Sequence, residues 1–246
     1  MGQKENTIFG IYPVQEALSS DIVVDKIFIQ KDSSNPKIEE ILKSIEISDI
    51  SISHVPSEKL NRLTKGNHQG IVAITSPISF HSLEEVVEKV IASKKDPLFL
   101  VLDQISDVRN FGAIIRTAEC TGVDAIIIQK KGGAPVTGDT VKTSAGAIFK
   151  IPICKVDHIK DAIFYLQASN IETISATEKS NQSIYQLDLK KPIAIVMGSE
   201  GKGISKSILN IVDHKAALPL KGDINSLNVS VACGVFLYEA IRQRDL

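Results

Sequence analysis

Three short segments carry the residue types that could do chemistry. In Ile195-Val196-Met197-Gly198-Ser199-Glu200-Gly201-Lys202-Gly203-Ile204, an apolar run ends in a glycine-rich turn with one carboxylate in it. Glycine lets the backbone approach a ligand closely, and Glu200 can bind a donor group or accept a proton. A plain flexible turn between strand and helix has the same composition. In Asn110-Phe111-Gly112-Ala113-Ile114-Ile115-Arg116-Thr117-Ala118, Asn110 is of the type that caps a helix. Gly112, Arg116 and Cys120 then share one lane at i, i+4 spacing, leaving Ile114, Ile115 and Ala118 for the core. A guanidinium on a small–Arg–small lane can reach a phosphate or carboxylate; a solvated helix arginine fits the spacing too. In Leu218-Pro219-Leu220-Lys221-Gly222-Asp223-Ile224-Asn225-Ser226-Leu227-Asn228-Val229-Ser230-Val231-Ala232, the polar side chains of Ser226, Asn228 and Ser230 gather at a predicted helix start. Such a cluster suits a polar ligand, although capping alone would use one of them.

The elements that must hold these segments read as alternating strands and helices. Apolar runs at 98–102, 125–128, 171–175, 193–197 and 216–220, with a weaker one at 151–154, predict strands. Helices are expected around 112–121, 140–148, 158–169, 204–211 and 227–243. This alternation implies a parallel sheet covered on both faces, with ligands at the carboxyl ends of its strands. It is not a dinucleotide fold of the usual kind, because Asp103-Gln104-Ile105-Ser106 after the first strand contains no glycine. Nor is it a P-loop: Val196 and Gly203 stand where that motif needs Gly and Ser or Thr.

Ahead of this region lies a smaller α/β pattern. A helix starts at Pro13, a strand covers 26–29, a helix covers 36–47, and strands cover 50–55 and 70–74. The expected organisation is therefore a first domain over 1–76, a linker at 77–82, and a second domain over 83–246 that opens with a helix at 83–92. Arg62, Lys65, Asn67 and His68 are the densest polar-basic cluster of the first domain.

Composition narrows the function class without naming it. The chain has 246 residues, is 43% hydrophobic and 23% charged, and has a net charge of −1, as expected for globular domains with real cores. Residues 1–95 carry 11 Lys and Arg against 13 Asp and Glu, so any nucleic-acid contact must come from local patches and not from a basic domain. The three cysteines are far apart and the five histidines scattered, which argues against a disulfide framework and a structural metal. No apolar run approaches the roughly 20 residues of a membrane span, and the N-terminus has no signal-peptide pattern. Asn6 occupies the position where a myristoylation motif needs Ser or Thr. A cytoplasmic location is expected.

In their order and spacing, the three segments resemble the motifs of the SpoU/TrmH branch of the SPOUT methyltransferases: N-x-G-A-x-x-R-[ST]-A, G-x-E-G and [IL]-P-x-x-G-x-x-x-S-L-N-V-S-x-A. The resemblance covers about 97–244. The first part, with Phe9-Gly10 and His68-Gln69-Gly70-Ile71-Val72-Ala73, resembles the ribosomal-protein-like substrate-binding domain of the subgroup that methylates a guanosine in 23S rRNA. This resemblance implies an α/β fold whose parallel-sheet domain carries a C-terminal trefoil knot, a homodimer, and 2′-O-methylation of RNA with S-adenosylmethionine. It implies catalytic or substrate-positioning roles for Asn110, Arg116, Glu200, Ser226 and Asn228. It places the cofactor against Met197, Gly198, Gly203, Leu218, Leu220, Ser226 and Leu227. One departure is Val108, where many family members carry Pro, a small change in loop stiffness. The family's proposal makes the arginine a general base. A guanidinium with a pKa above about 12 stays protonated, so Arg116 is better read as a phosphate clamp, and Glu200 as the more ordinary base candidate, with the base left unassigned.

Overall fold

The computed structural model describes residues 6–31, 35–45 and 50–245. They fall into two compact units. One runs to Ser79 and takes in Pro135–Gly138; the other comprises Phe80–Ala134 and the chain from Asp139 onward.

In the first unit, β1 (Thr7–Phe9), α1 (Ile11–Ser19), β2 (Val24–Gln30), α2 (Pro36–Ser44), β3 (Ser51–Val55), α3 (Ser57–Leu63) and β4 (Ile71–Thr75) alternate along the chain. The strands form a mixed sheet in the order β1-β4-β2-β3, in which only β2 and β3 run parallel. Apolar residues of α1 and α2 (Val14, Ala17, Ile38, Ile41) pack on Ile27, Ile29, Ile71 and Ala73 of the sheet. The Asn35 side chain accepts from the Lys37 amide, and Pro36 follows it, so α2 starts with cap and proline in their preferred places. The expected end of that helix at 46–47 lies outside the described residues. Neither β1 nor α3 was legible in the sequence. Arg62 sits in the last turn of α3. Asn67 and His68 hold the next turn: the Gln69 amide donates to Asn67 Oδ1 at 3.2 Å and the Gly70 amide to His68 Nδ1 at 3.0 Å.

The second unit contains α4 (Leu83–Ser93), β5 (Leu98–Asp103), α5 (Val108–Cys120), β6 (Ala125–Gln129), α6 (Gly138–Thr143), β7 (Ile153–Val156), α7 (Ile159–Ala168), β8 (Glu172–Ala176), β9 (Ile193–Gly198), α8 (Lys206–Leu209), β10 (His214–Ala216) and α9 (Val229–Arg244). Its six strands are all parallel, in the order β10-β8-β9-β5-β6-β7. Every residue of β5 and β9 is buried, as an apolar strand covered on both faces should be. The winding runs from β5 out to β7 and returns through β8 and β9. The reversal falls between β5 and β9, whose ends are in register at Asp103 and Gly198. An open α/β sheet offers a ligand crevice at the carboxyl ends beside such a reversal.

The expected bounds of three elements need correction. Helix α5 begins at Val108, because Asp107 is the cap: its Oδ1 accepts from the Asn110 amide at 2.8 Å. Asn110 thus sits in the first turn, with its side chain free for other partners. The run at 216–220 yields only the three-residue β10, ending at Ala216. Pro219 has no amide to donate to a ladder, and the chain leaves the sheet. The helix expected at 204–211 shortens to Lys206–Leu209. Phe80–Ser82, in the expected linker, are ordered against the second unit: the His81 amide donates to the Ile153 carbonyl at 3.0 Å, and the Ser82 side chain caps α4.

Candidate active site

At the carboxyl ends of β8, β9 and β10 lies a cavity of about 390 Å³. Three sequence stretches wall it. The end of β8 supplies Ala176, Thr177 and Glu178; the turn after β9 supplies Met197 to Gly201 and Gly203; the loop into α9 supplies Leu218, Leu220, Ser226, Leu227 and Asn228. The rest of the wall comes from Val229, Ala232 and Phe236 in the first half of α9. All seven residues expected against the cofactor therefore line a single cavity.

The turn after β9 owes its shape to its glycines. Ser199 and Gly203 exchange two backbone hydrogen bonds, at 2.8 and 3.1 Å, and fold the turn back on itself. Gly201 and Gly203 adopt φ values of +77° and +68°, in the left-handed region that glycine enters without a side-chain clash. Beneath the turn, the buried Asp103 at the end of β5 accepts from the Ser205 amide at 2.8 Å. This carboxylate fixes where the chain leaves the turn. In the sequence alone, Asp103 reads only as part of a stretch without glycine.

Asn228 caps α9: its Oδ1 accepts from the amides of Ser230 at 2.9 Å and Val231 at 3.3 Å. The Ser230 hydroxyl donates to the same oxygen at 2.6 Å. Asn228 Nδ2 donates to Asn110 Oδ1 at 3.0 Å, and Asn110 Nδ2 donates to Glu200 Oε1. One residue from each of the three motifs thus joins a single hydrogen-bonded chain at the cavity rim. The far end of α9 is fixed as well. There the Arg244 guanidinium donates to the carbonyls of Asp96, Pro97, Leu189 and Lys191 at 2.8–3.2 Å. Burial lowers the pKa of Arg244, yet a guanidinium stays charged at any ordinary pH. Cys233, within α9, is fully buried, and burial pushes its thiol up to about 12.

Arg116 lies apart from that chain. It is exposed on α5 and is not among the cavity's lining residues. Among the described residues its guanidinium has no hydrogen-bond or ion-pair partner. Gly112 does not offer open surface for it to cross. A Cβ there would fall 1.9 Å from Thr143 Oγ1, so Gly112 is a close-packing position for α6. Ile114, Ile115 and Ala118 are fully buried, as their spacing predicts.

Residues 97–238 match the SpoU rRNA Methylase family, and residues 7–81 match the RNA 2′-O ribose methyltransferase substrate binding family. The chain belongs to the SpoU methylase family. Among relatives, the TrmH family protein YacO of Bacillus subtilis is 30% identical over 245 residues, spanning 100% of this chain and 98% of its own. A TrmH family protein of Staphylococcus saprophyticus is 35% identical, spanning 98% of this chain and 97% of its own. Among solved structures, the SpoU methyltransferase AviRb of Streptomyces viridochromogenes in complex with AdoMet shares the fold. Its TM-score is 0.62 at 21% identity, over 97% of this chain and 90% of AviRb. The TrmH/SpoU tRNA modifying enzyme of A. aeolicus has a TM-score of 0.56 at 28% identity, over 66% of this chain and 84% of its own.

Sequence reading missed the β8 wall of this SpoU cavity. Ala176-Thr177-Glu178 looks like any polar turn, and only the sheet order, which sets β8 beside β9, brings it to the site. Among the described residues, no group of three His, Cys, Asp or Glu is arranged to hold a metal ion, and no helix is long and apolar enough to cross a membrane.

Proposed function

We propose that this RNA methyltransferase of the SpoU/TrmH family transfers the methyl group of S-adenosylmethionine to a ribose 2′-hydroxyl, with a guanosine of 23S rRNA as its target. The observation that carries the reading is the cavity rim. Glu200, Asn228 and, through them, Asn110 converge beside a pocket walled by the turn after β9 and the loop into α9.

The pocket fits the cofactor. Its volume lies within the roughly 300–1,000 Å³ of small-molecule sites. Its wall combines apolar side chains (Met197, Leu218, Leu220, Leu227, Phe236) with side-chain-free backbone at Gly198 and Gly203 and the carboxylates of Glu178 and Glu200. Adenine calls for apolar faces and backbone hydrogen bonds, and a cationic sulfonium is favoured near carboxylates. When bound, S-adenosylmethionine supplies an activated methyl group for in-line transfer. The protein's part is to bind, orient and move one proton. Gly198, Leu218 and Leu227 hold the nucleoside through their backbone. Ser226 holds the ribose of the RNA. Glu200 is the side chain placed to take the hydroxyl proton. Arg116, charged and without a partner among the described residues, is suited to clamp an RNA phosphate and to stabilise developing alkoxide. This assigns Arg116 an electrostatic role and no proton transfer.

The same reading includes a homodimer, the family's knotted C-terminal region, a cytoplasmic location, and recognition of RNA by residues 1–76. The match to a substrate-binding family over 7–81 supports rRNA, since a first domain gives a larger RNA surface than catalysis needs. Transfer to tRNA is the second reading, favoured by relatives whose names carry both tRNA and rRNA. The test uses total rRNA and tRNA from cells lacking the gene, incubated with the protein and methyl-labelled S-adenosylmethionine, followed by mapping of the labelled ribose. Label at one guanosine of 23S rRNA is the expected result. Label confined to tRNA transfers the assignment to tRNA, and no labelled ribose in either RNA overturns the reading.

A further inference from the structure

The hydrogen-bonded chain at the rim has a direction, and the direction is imposed from one end. An amide side chain can turn over and exchange its oxygen for its nitrogen, so its orientation must be settled by partners that cannot reverse. Asn228 has two such partners. The backbone amides of Ser230 and Val231, at the start of the sixteen-residue helix α9, can only donate. They fix Oδ1 inward and Nδ2 outward. Asn110 must then present Oδ1 to Asn228, which turns its Nδ2 toward Glu200. Glu200, as a carboxylate, can only accept. A helix terminus that can only donate is thus linked to a carboxylate that can only accept, through two amides with one consistent arrangement.

We infer that Asn228 and Asn110 are positioning residues that act through Glu200: the N-terminus of α9 sets the orientation of a one-way relay that holds the Glu200 carboxylate at the cavity rim. The inference rests on the methyltransfer reading only for its consequence in turnover. The relay itself is a property of the free protein. Oε1 of Glu200 is engaged by Asn110 and Oε2 is left for the reacting hydroxyl. Ser230 reinforces the starting point, because its hydroxyl donates to the same Asn228 oxygen.

Replacing Asn228 by Asp separates relay from cap. Aspartate caps a helix as well as asparagine does, so α9 keeps its start. Its second oxygen, however, can only accept. Asn110 must turn over to donate to it, and then presents its own oxygen to Glu200, which is released. Asn228→Asp should therefore lower kcat by roughly 10–100-fold, the usual effect of a slightly misplaced reacting group, while KM for RNA and for S-adenosylmethionine stay within about twofold of wild type. A residue that touched the substrate would move KM as well. Glu200→Gln restores a donor opposite the turned Asn110. In Asn228→Asp/Glu200→Gln the relay runs backwards but is complete, so the double variant should melt about 2–4 °C above the additive expectation from the two single variants.

Kinetics and calorimetric melting of the wild type, both single variants and the double variant decide the matter. Additive melting temperatures, or an unchanged kcat in Asn228→Asp, would overturn the relay. If the wild-type protein methylates no RNA, the functional reading fails while the melting cycle still tests the relay on its own.

Discussion

Gly198 and Gly203 meet backbone to backbone: a Cβ added at Gly198 would lie 2.2 Å from the Gly203 carbonyl carbon. That neighbour is main chain held by two hydrogen bonds to Ser199, so it cannot swing aside. Gly198→Ala should therefore force the turn out of the cavity wall. We expect a stability loss of about 1–3 kcal/mol, the usual range for overpacking, and loss of S-adenosylmethionine binding by isothermal titration. Gly201 is the control. A Cβ there meets nothing within 4 Å, and its φ of +77° is one that asparagine tolerates. Gly201→Asn should keep both fold and binding; if it fails as badly as Gly198→Ala, conformational freedom and not close approach is what the turn needs.

The cavity should discriminate among nucleotides. Its glycine turn is unlike either phosphate-binding loop, so S-adenosylmethionine and S-adenosylhomocysteine should raise the melting temperature, and NAD and ATP should not. At a hundredfold excess over Kd the stabilisation should be about 2.7 kcal/mol. A thermal shift with NAD equal to that with S-adenosylhomocysteine would contradict the assignment of the pocket.

Arg116 gives a sharp test because nothing in the described protein uses its charge. Arg116→Lys keeps the charge and loses the planar fork, so a small fraction of turnover should survive; Arg116→Ala should retain almost none. Neither should alter cofactor affinity or melting temperature, since no internal partner is lost. Wild-type turnover by Arg116→Ala would make this a solvated helix residue and nothing more.

How much of this was legible in the sequence follows physical lines. Strands β5 and β9 were legible because they are buried on both faces and read as uninterrupted apolar runs. The three-residue β1 is too short to show any period, and α3 opens after Pro56 without a side-chain cap to mark it. At α5, Asp107 and Asn110 are equally good caps by type, and only geometry chose Asp107. At the site, the sequence supplied side chains from β9 and from the loop into α9, because those stretches are glycine-rich or unusually polar. It could not supply the Asn228–Asn110–Glu200 connection, which joins positions 118 and 90 residues apart, nor Glu178, which reaches the cavity only through the sheet order.

Two thiols make a pH-dependent prediction. Burial pushes Cys154 and Cys233 up to about 12, with the charge of Glu84 adding to the effect at Cys154. In the unfolded chain each thiol ionises near 9. A raised folded value means that the folded state holds its proton while the unfolded state releases it. Stability should thus be undiminished below pH 9 and fall as pH rises from 9 toward 12. Replacing both cysteines by alanine should flatten that part of the curve, after allowance for the cavities left behind. Thiol titration at pH 8 should label the exposed Cys120 alone in the native protein and all three cysteines in denaturant. Rapid native labelling of Cys233 would mean that α9 opens readily.

The last prediction concerns the division of labour. The three motifs lie in the second unit, and the chain's near-neutral charge offers RNA no broad attraction. Recognition must then come from a built surface, which the reading assigns to the first unit. A truncated protein beginning at Phe80 keeps the His81 bridge to Ile153 and the Ser82 cap on α4. It should fold, dimerise and bind S-adenosylmethionine. One beginning at Leu83 loses both features and should be less stable by at least the ~1 kcal/mol of a lost cap. The Phe80 protein should methylate its RNA far more slowly, through a raised KM for RNA with kcat largely kept, because the groups at the cavity remain in place. Light scattering gives the oligomeric state, and turnover across a range of RNA concentrations separates KM from kcat. If KM for RNA is unchanged and the same nucleotide is modified, residues 1–76 do not read the substrate, and the preference for rRNA over tRNA loses the domain argument on which it stands.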